Sequence, residues 1–225
     1  MNSRERILTR IRQRTRKGAA DDGTRATAIG ARMTNPRANL IPLRGQGDDD
    51  HRIAVFTYHM EGVGGTVEVI DDVNDIPERV AVYLRDSNRP AHIRKGADAL
   101  LATLPWHRAG TLEVTEGRAD PSDTASLTHA FAGVAESGTI VQISGQDNPT
   151  TLNFLPEAHI VVLDVAELHA SYEEAWTRLR KEFGPGEMPR TVNMISGPSR
   201  TADIEQTIVR PAHGPKDMHV IIVRR

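Results

Sequence analysis

Three glycine-bearing loops in the C-terminal half carry the residues whose types and spacing suit chemistry. The first runs Gly133-Val134-Ala135-Glu136-Ser137-Gly138-Thr139, just before an apolar segment. A carboxylate in that setting can serve as nucleophile or general base, with Ser137, Gly138 and Thr139 offering hydroxyl and N–H groups to a ligand. The same acid can equally close a helix–strand turn by bonding to its own loop. The second loop is Ser196-Gly197-Pro198-Ser199-Arg200-Thr201, expected after a strand and before a short helical stretch at 202–208. There Gly197, Ser199, Arg200 and Thr201 would place N–H groups, hydroxyls and a guanidinium at a helix start, a natural site for a carboxylate or phosphate. Ordinary capping by Ser199 or Thr201, with Asp203 or Glu205 clamping Arg200, fits the same string. It is neither a Walker loop nor a dinucleotide fingerprint, because the required glycines and lysine are missing.

The third loop, His213-Gly214-Pro215-Lys216, precedes the last apolar run. His213 can act as acid, base or donor near neutrality, with Gly214 beside it as ligand-binding backbone; a turn histidine can also be purely structural. No His/Asp/Glu set has metal-ligand spacing: His213 and His219 are too far apart along the chain, and His159 and His169 lack an acidic partner in a recognisable pattern. No metal is expected.

Regular elements must hold these loops. Thr66–Ile70, Ala91–Arg94, Leu112–Thr115, Thr139–Ser144, His159–Asp164, Thr191–Ile195 and Met218–Val223 read as strands. Helices are expected over His51–Glu61, from Asp75, Pro77 and Glu78 to Asp86, around Asp98–Leu104, and after Ser171, whose pairing with Glu174 forms a capping box. Alternation at this spacing predicts an α/β fold: an open, mostly parallel sheet with helices on both faces. The first 50 residues stand apart. Arg4, Arg6, Arg10, Arg12, Arg14, Arg16 and Lys17 face only Glu5, and Ile7, Leu8 and Ile11 recur at helical spacing behind a Ser3 N-cap. That predicts a basic docking helix or an anion-binding arm, followed by an extended arm over 18–50. The division is then 1–50 for helix and arm, and 51–225 for a single α/β domain.

Composition narrows the classes. Apolar residues make up 38% of the 225, enough for one core rather than two. No apolar run approaches the roughly 20 residues of a membrane span, and the start does not read as a secretory signal, so a cytoplasmic protein is expected. The net charge of −2 gives no field for nucleic acid. Cys is absent, which removes disulfides, thiolate catalysis and cysteine-held iron–sulfur clusters on this chain.

Four strings carry a resemblance. Gly133–Thr139 (GVAESGT), Asn153–Leu163 (NFLPEAHIVVL), Ile195–Glu205 (ISGPSRTADIE) and His213–Val223 (HGPKDMHVIIV) resemble the LUD domain family, strongly from about Ala130 onward and by general layout over 50–115. The resemblance implies a fold similar to sugar-phosphate isomerases and CoA transferases, with ligands at the strand ends. It further implies a part in oxidising L-lactate to pyruvate beside iron–sulfur companion proteins. This chain would be the clusterless member, without a cofactor of its own, and able to form a homo-oligomer. Arg200 would then pair a small carboxylate ligand and His213 relay a proton. By analogy with CoA transferases, Glu136 would instead be an acyl-accepting nucleophile. A non-catalytic scaffold is the third reading.

Overall fold

The computed structural model describes residues 2–16, 22–184, 186–200 and 213–224. Its centre is a parallel sheet of β1 (Thr66–Ile70), β2 (His92–Lys95), β3 (Glu113–Glu116), β4 (Ala125–His129), β7 (Ala158–Asp164) and β10 (Asp217–Val223), in the order β1-β10-β7-β4-β2-β3. The middle strands β7 and β10 are near-continuous apolar runs because both their faces are covered. Successive residues go to opposite sides. Ile160, Val162, Ile221 and Val223 join one core cluster with Ile76, Val80 and Leu84 of helix α4 (Ile76–Asp86) and with Leu101 of α5 (Ala99–Thr103). Val161, Leu163, Val220 and Ile222 join the other, with Ile53, Phe56 and Met60 of α3 (Asp49–Gly62). The expected α/β architecture with helices on both faces is what the chain adopts.

A second sheet lies on the α3 side: β5 (Ala132–Val134), β6 (Thr139–Ile143), β8 (Leu168–His169) and β9 (Val192–Ile195), ordered β8-β5-β6-β9. In it β5–β6 and β6–β9 run antiparallel. Helix α6 (Tyr172–Phe183) packs on this sheet through Ala175 against Ala132, Val134 and Val141. The capping signal for α6 holds, since Ser171 Oγ accepts the Glu174 N–H at 3.4 Å. The expected strands Thr139–Ser144 and Thr191–Ile195 are β6 and β9 of this sheet, but β4, β5, β8 and the separation into a second, partly antiparallel sheet had no counterpart in the sequence. The sequence of β4, ASLTH, has apolar Ala125 and Leu127 on one face and polar Ser126 and Thr128 on the other, both buried, so its pattern does not announce a central strand.

The arm expected over 18–50 is instead largely helical. Helix α1 spans Ser3–Arg16 and α2 spans Asp22–Thr34; only the stretch after Thr34 is extended. Ala26, Ala28 and Ala31 supply helix propensity that outweighs Gly23 and Gly30, and Thr27 and Thr34 hydroxyls back-bond to Gly23 and Gly30 carbonyls at 3.0 Å. The cap of α1 is also one residue earlier than expected. Asn2 Oδ1 accepts the Glu5 N–H at 2.9 Å while Glu5 accepts the Asn2 N–H at 3.0 Å. Asp75 makes no cap bond; Asp72 caps the preceding turn through Asn74. Thr201, Asp203, Glu205 and the helix expected at 202–208 lie outside the described residues. Among the described residues no helix is long and apolar enough to cross a membrane.

Candidate functional site

Glu136 sits in the 3₁₀ turn Ala135–Ser137 that joins β5 to β6. Gly138 ends that turn at φ 61°, and a Cβ there would lie 2.8 Å from His59 Cβ and Met60 N, so both conformation and packing against α3 require glycine. The Glu136 side chain is 4% exposed. Its Oε1 accepts the Tyr172 N–H at 3.0 Å, and its own N–H donates to Ala170 O at 3.2 Å. The carboxylate therefore holds the first turn of α6, where the helix dipole favours a negative charge. Oε2 is buried without a partner. Ser137 and Thr139 bond to each other at 2.8 Å and to Tyr172 Oη at 3.0 and 2.8 Å; Thr139 also reaches Ser196 Oγ at 2.6 Å. These hydroxyls are engaged with one another, and the last bond ties the first loop to the second.

The second and third loops meet at the amino end of the parallel sheet. Gly197, Ser199, His213 and Gly214 wall a cavity of about 170 Å³ there. Ser199 N–H donates to Pro215 O at 2.8 Å, and Ser199 Oγ accepts the His213 N–H at 3.1 Å. Gly197 has φ 103° and lies against Val63, where a Cβ would meet Val63 Cγ2 at 2.3 Å. His213 is exposed, and Arg200 is half-buried with its Nε unpaired. Arg200 is not part of the cavity wall, and Thr201 lies outside the described residues.

Two wall residues escaped the sequence reading. Asn153 is 0% exposed and His159 1%, and among the described residues neither atom of the Asn153 carboxamide nor His159 Nδ1 has a partner. Burial drives the His159 pKa down to about 3, so the ring is neutral. Both lie within the string NFLPEAHIVVL, and a histidine inside an otherwise apolar central strand was the available signal.

A larger cavity, about 310 Å³, opens at the carboxyl end, between the ends of β4, β6 and β7. Asp98, His129, Asp147, Asp164, Glu167 and Arg178 are among its walls. Asp98 accepts from His129 Nδ1 at 3.1 Å and caps α5 through the Leu101 N–H at 2.9 Å. Burial works to raise the Asp98 pKa, but those hydrogen bonds prevail and hold it below the ordinary carboxylate range. Arg178 binds Glu167 at 3.0 Å and Glu182 at 2.8 Å, and lies 4.6 Å above the Phe131 ring. Among the described residues no group of three or more acidic, His or Cys side chains is placed to hold a metal.

The sequence model of the LUD domain family matches residues 53–223. The chain belongs to the LUD domain family. An uncharacterized protein of Neisseria meningitidis is 32% identical to it over 99 residues, 44% of this chain and 42% of that one. Lactate utilization protein C of Shouchella clausii is 34% identical over 97 residues, 43% of this chain and 42% of the relative. Its counterpart from Halalkalibacterium halodurans is 35% identical over 98 residues, 43% of each. The matches thus span less than half the length of these curated relatives. A DUF162 family protein from Deinococcus radiodurans, solved as a crystal structure, shares the fold with a TM-score of 0.57 at 17% identity, over 79% of this chain and 99% of that one.

Within this LUD domain the two cavities can do different things. The carboxyl-end cavity has four carboxylates in its wall, Asp98, Asp147, Asp164 and Glu167, against one guanidinium, Arg178, a balance that disfavours an anion. Among the described residues the amino-end cavity has no carboxylate in its wall and holds unpaired polar atoms beside hydroxyl, imidazole and backbone groups. Of the two, the second is the better suited to a small anion.

Proposed function

We propose that the protein is a cytoplasmic component of an L-lactate utilisation system, the clusterless member of an assembly in which iron–sulfur partner proteins carry the electrons from L-lactate to an acceptor. Its part is to hold a small carboxylate in the amino-end cavity. The observation that carries this reading is the convergence of Gly197, Ser199, His213 and Gly214 on one cavity whose described wall has no carboxylate, in a chain whose curated relatives include proteins named lactate utilization protein C. The absence of Cys supports leaving the clusters to partners. Arg200 and Lys216 each adjoin a wall residue in the sequence, Ser199 and Pro215, and a swing of the half-buried Arg200 guanidinium would add a charge-assisted pair.

Calorimetric titration of the purified chain tests the first half, with L-lactate, pyruvate, a CoA ester and a sugar phosphate as separate ligands. Saturable binding of a three-carbon acid, with none of the larger ligands, is expected; binding of the CoA ester alone would replace this reading with the acyl-transfer one. The second half is tested by L-lactate-dependent dye reduction with reconstituted iron–sulfur partners, with and without this chain.

A further inference from the structure

A line of buried hydrogen bonds ends in the amino-end cavity, and its direction can be fixed. Asn148 Nδ2 donates to Gln142 Oε1 at 2.7 Å and to Ile143 O at 3.1 Å. A backbone carbonyl only accepts, so the atom facing it is the amide nitrogen, and the Asn148 orientation follows. Gln142 Oε1 is then the acceptor, and Gln142 Nε2 donates to Thr128 Oγ1 at 2.8 Å. Among the described residues the Thr128 hydroxyl has no other acceptor, so its one proton goes to His159 Nε2, 2.8 Å away. Each of these four side chains is 5% exposed or less. Nε2 therefore accepts, and a neutral ring must carry its proton on Nδ1.

That Nδ1–H has no partner among the described residues, nor do Oδ1 and Nδ2 of Asn153, and both side chains belong to the cavity wall. Buried donors and acceptors are nearly always paired, and leaving one unpaired is costly. Here two donors and one acceptor are unpaired in the wall of a single cavity.

We infer that His159 and Asn153 are the specificity-determining pair of this site and that it reads an α-hydroxy acid in preference to the corresponding α-keto acid. The inference rests on the reading above that the cavity takes a small carboxylate. A ligand oxygen accepts from His159 Nδ1–H and from Asn153 Nδ2, and the ligand's hydroxyl donates to Asn153 Oδ1. A keto acid has no hydroxyl proton and leaves Asn153 Oδ1 buried and unpaired. Thr128, Gln142 and Asn148 touch no ligand; they are positioning residues that hold His159 in the donor tautomer.

Long-range ¹H–¹⁵N spectra of the full chain give the His159 tautomer without any ligand. A proton on Nδ1 is expected, and Thr128→Val should let the ring populate the other tautomer. In calorimetry L-lactate should bind at least tenfold more tightly than pyruvate. Asn153→Leu, nearly the same size, should abolish that preference while raising the melting temperature, since it removes two unpaired buried polar atoms. A wild-type ring protonated on Nε2, or equal affinity for the two acids, would overturn the inference alone. Binding of neither acid, with the Nδ1–H tautomer in place, would overturn the small-carboxylate reading and this specificity with it.

Discussion

The two ends of the parallel sheet differ in what their polar groups have left to do. At the carboxyl end, where open α/β sheets commonly bind ligands, charged side chains have found partners: Asp98 with His129 and the α5 N–H groups, Arg178 with Glu167 and Glu182. At the amino end Asn153 and His159 are buried deeper and are incompletely paired. Satisfied groups describe a wall, whereas buried unsatisfied ones describe what the wall is waiting for. Among the described residues the amino-end wall holds three unpaired buried polar atoms, on Asn153 and His159, against one at the carboxyl end, Asn148 Oδ1, so the unmet hydrogen bonds concentrate at the end opposite to the one expected from the architecture.

The largest effect should come from acid, and it falls on the amino end. Burial lowers the pKa of His159 from 6.5 to about 3, and that of His219, stacked on Tyr83, from 6.5 to about 4. Both rings bind protons more weakly in the folded chain than in the unfolded one. The stability they contribute is complete above pH 6.5 and is lost as pH falls toward 4 for His219 and 3 for His159. Each should cost about 1.4 kcal/mol per pH unit within its window. Urea titrations between pH 7 and 4.5 should show the loss, with a shallower slope for His159→Gln. An unchanged midpoint across that range would mean that the rings are hydrated.

A smaller effect separates the cavities. Asp98→Ala removes a helix cap and the His129 partner and should lower stability by about 1–2 kcal/mol. The affinity of the amino-end cavity for L-lactate should not change. A tenfold loss of affinity would show that the two ends are energetically coupled.

Much of the fold was legible because its strongest signals are local. The apolar runs of β7 and β10, the Ser171 cap and the glycines after α3 and α6 stand in the sequence as they act in the structure. Strand β4 was not legible, because Ser126 and Thr128 look like loop residues until Leu152 O and His159 are seen to pair them. Helix α2 was hidden by Gly23 and Gly30. Of the site, the second and third loops were singled out separately in the sequence, and the structure brings Gly197, Ser199, His213 and Gly214 of them to one cavity wall. Asn153 and His159 were not, because being unpaired is a property of a three-dimensional surrounding and leaves no spacing to read.

For Glu136 the sequence allowed a nucleophile or a loop tie, and its bond to the Tyr172 N–H supports the tie. Glu136→Gln keeps the acceptor but loses the charge at the helix start and puts an amide nitrogen where Oε2 is buried without a partner among the described residues. A loss of about 1 kcal/mol is expected, with no hydroxylamine-sensitive adduct on any acyl-CoA. A mass shift on the peptide containing Glu136 would restore the nucleophile.

The smallest effect on stability should follow removal of residues 1–17. Ile7 and Ile11 of α1 are 58% and 52% exposed, so the helix gives little apolar surface to either core cluster. An isolated cationic helix of this length is marginal in water unless its apolar stripe is covered. The truncated chain should melt within a degree or two of the full one, because what is removed stabilises nothing in the domain. On the function proposed above, its self-association or its affinity for iron–sulfur partner proteins should fall, because the exposed stripe of Ile7, Leu8 and Ile11 is lost with it. Sedimentation at matched ionic strength separates the two contributions. If high salt alone reproduces the truncation, the arginines dominate; if association survives salt and is lost only on truncation, the apolar stripe does. Association unchanged by either would leave α1 without a part in assembly.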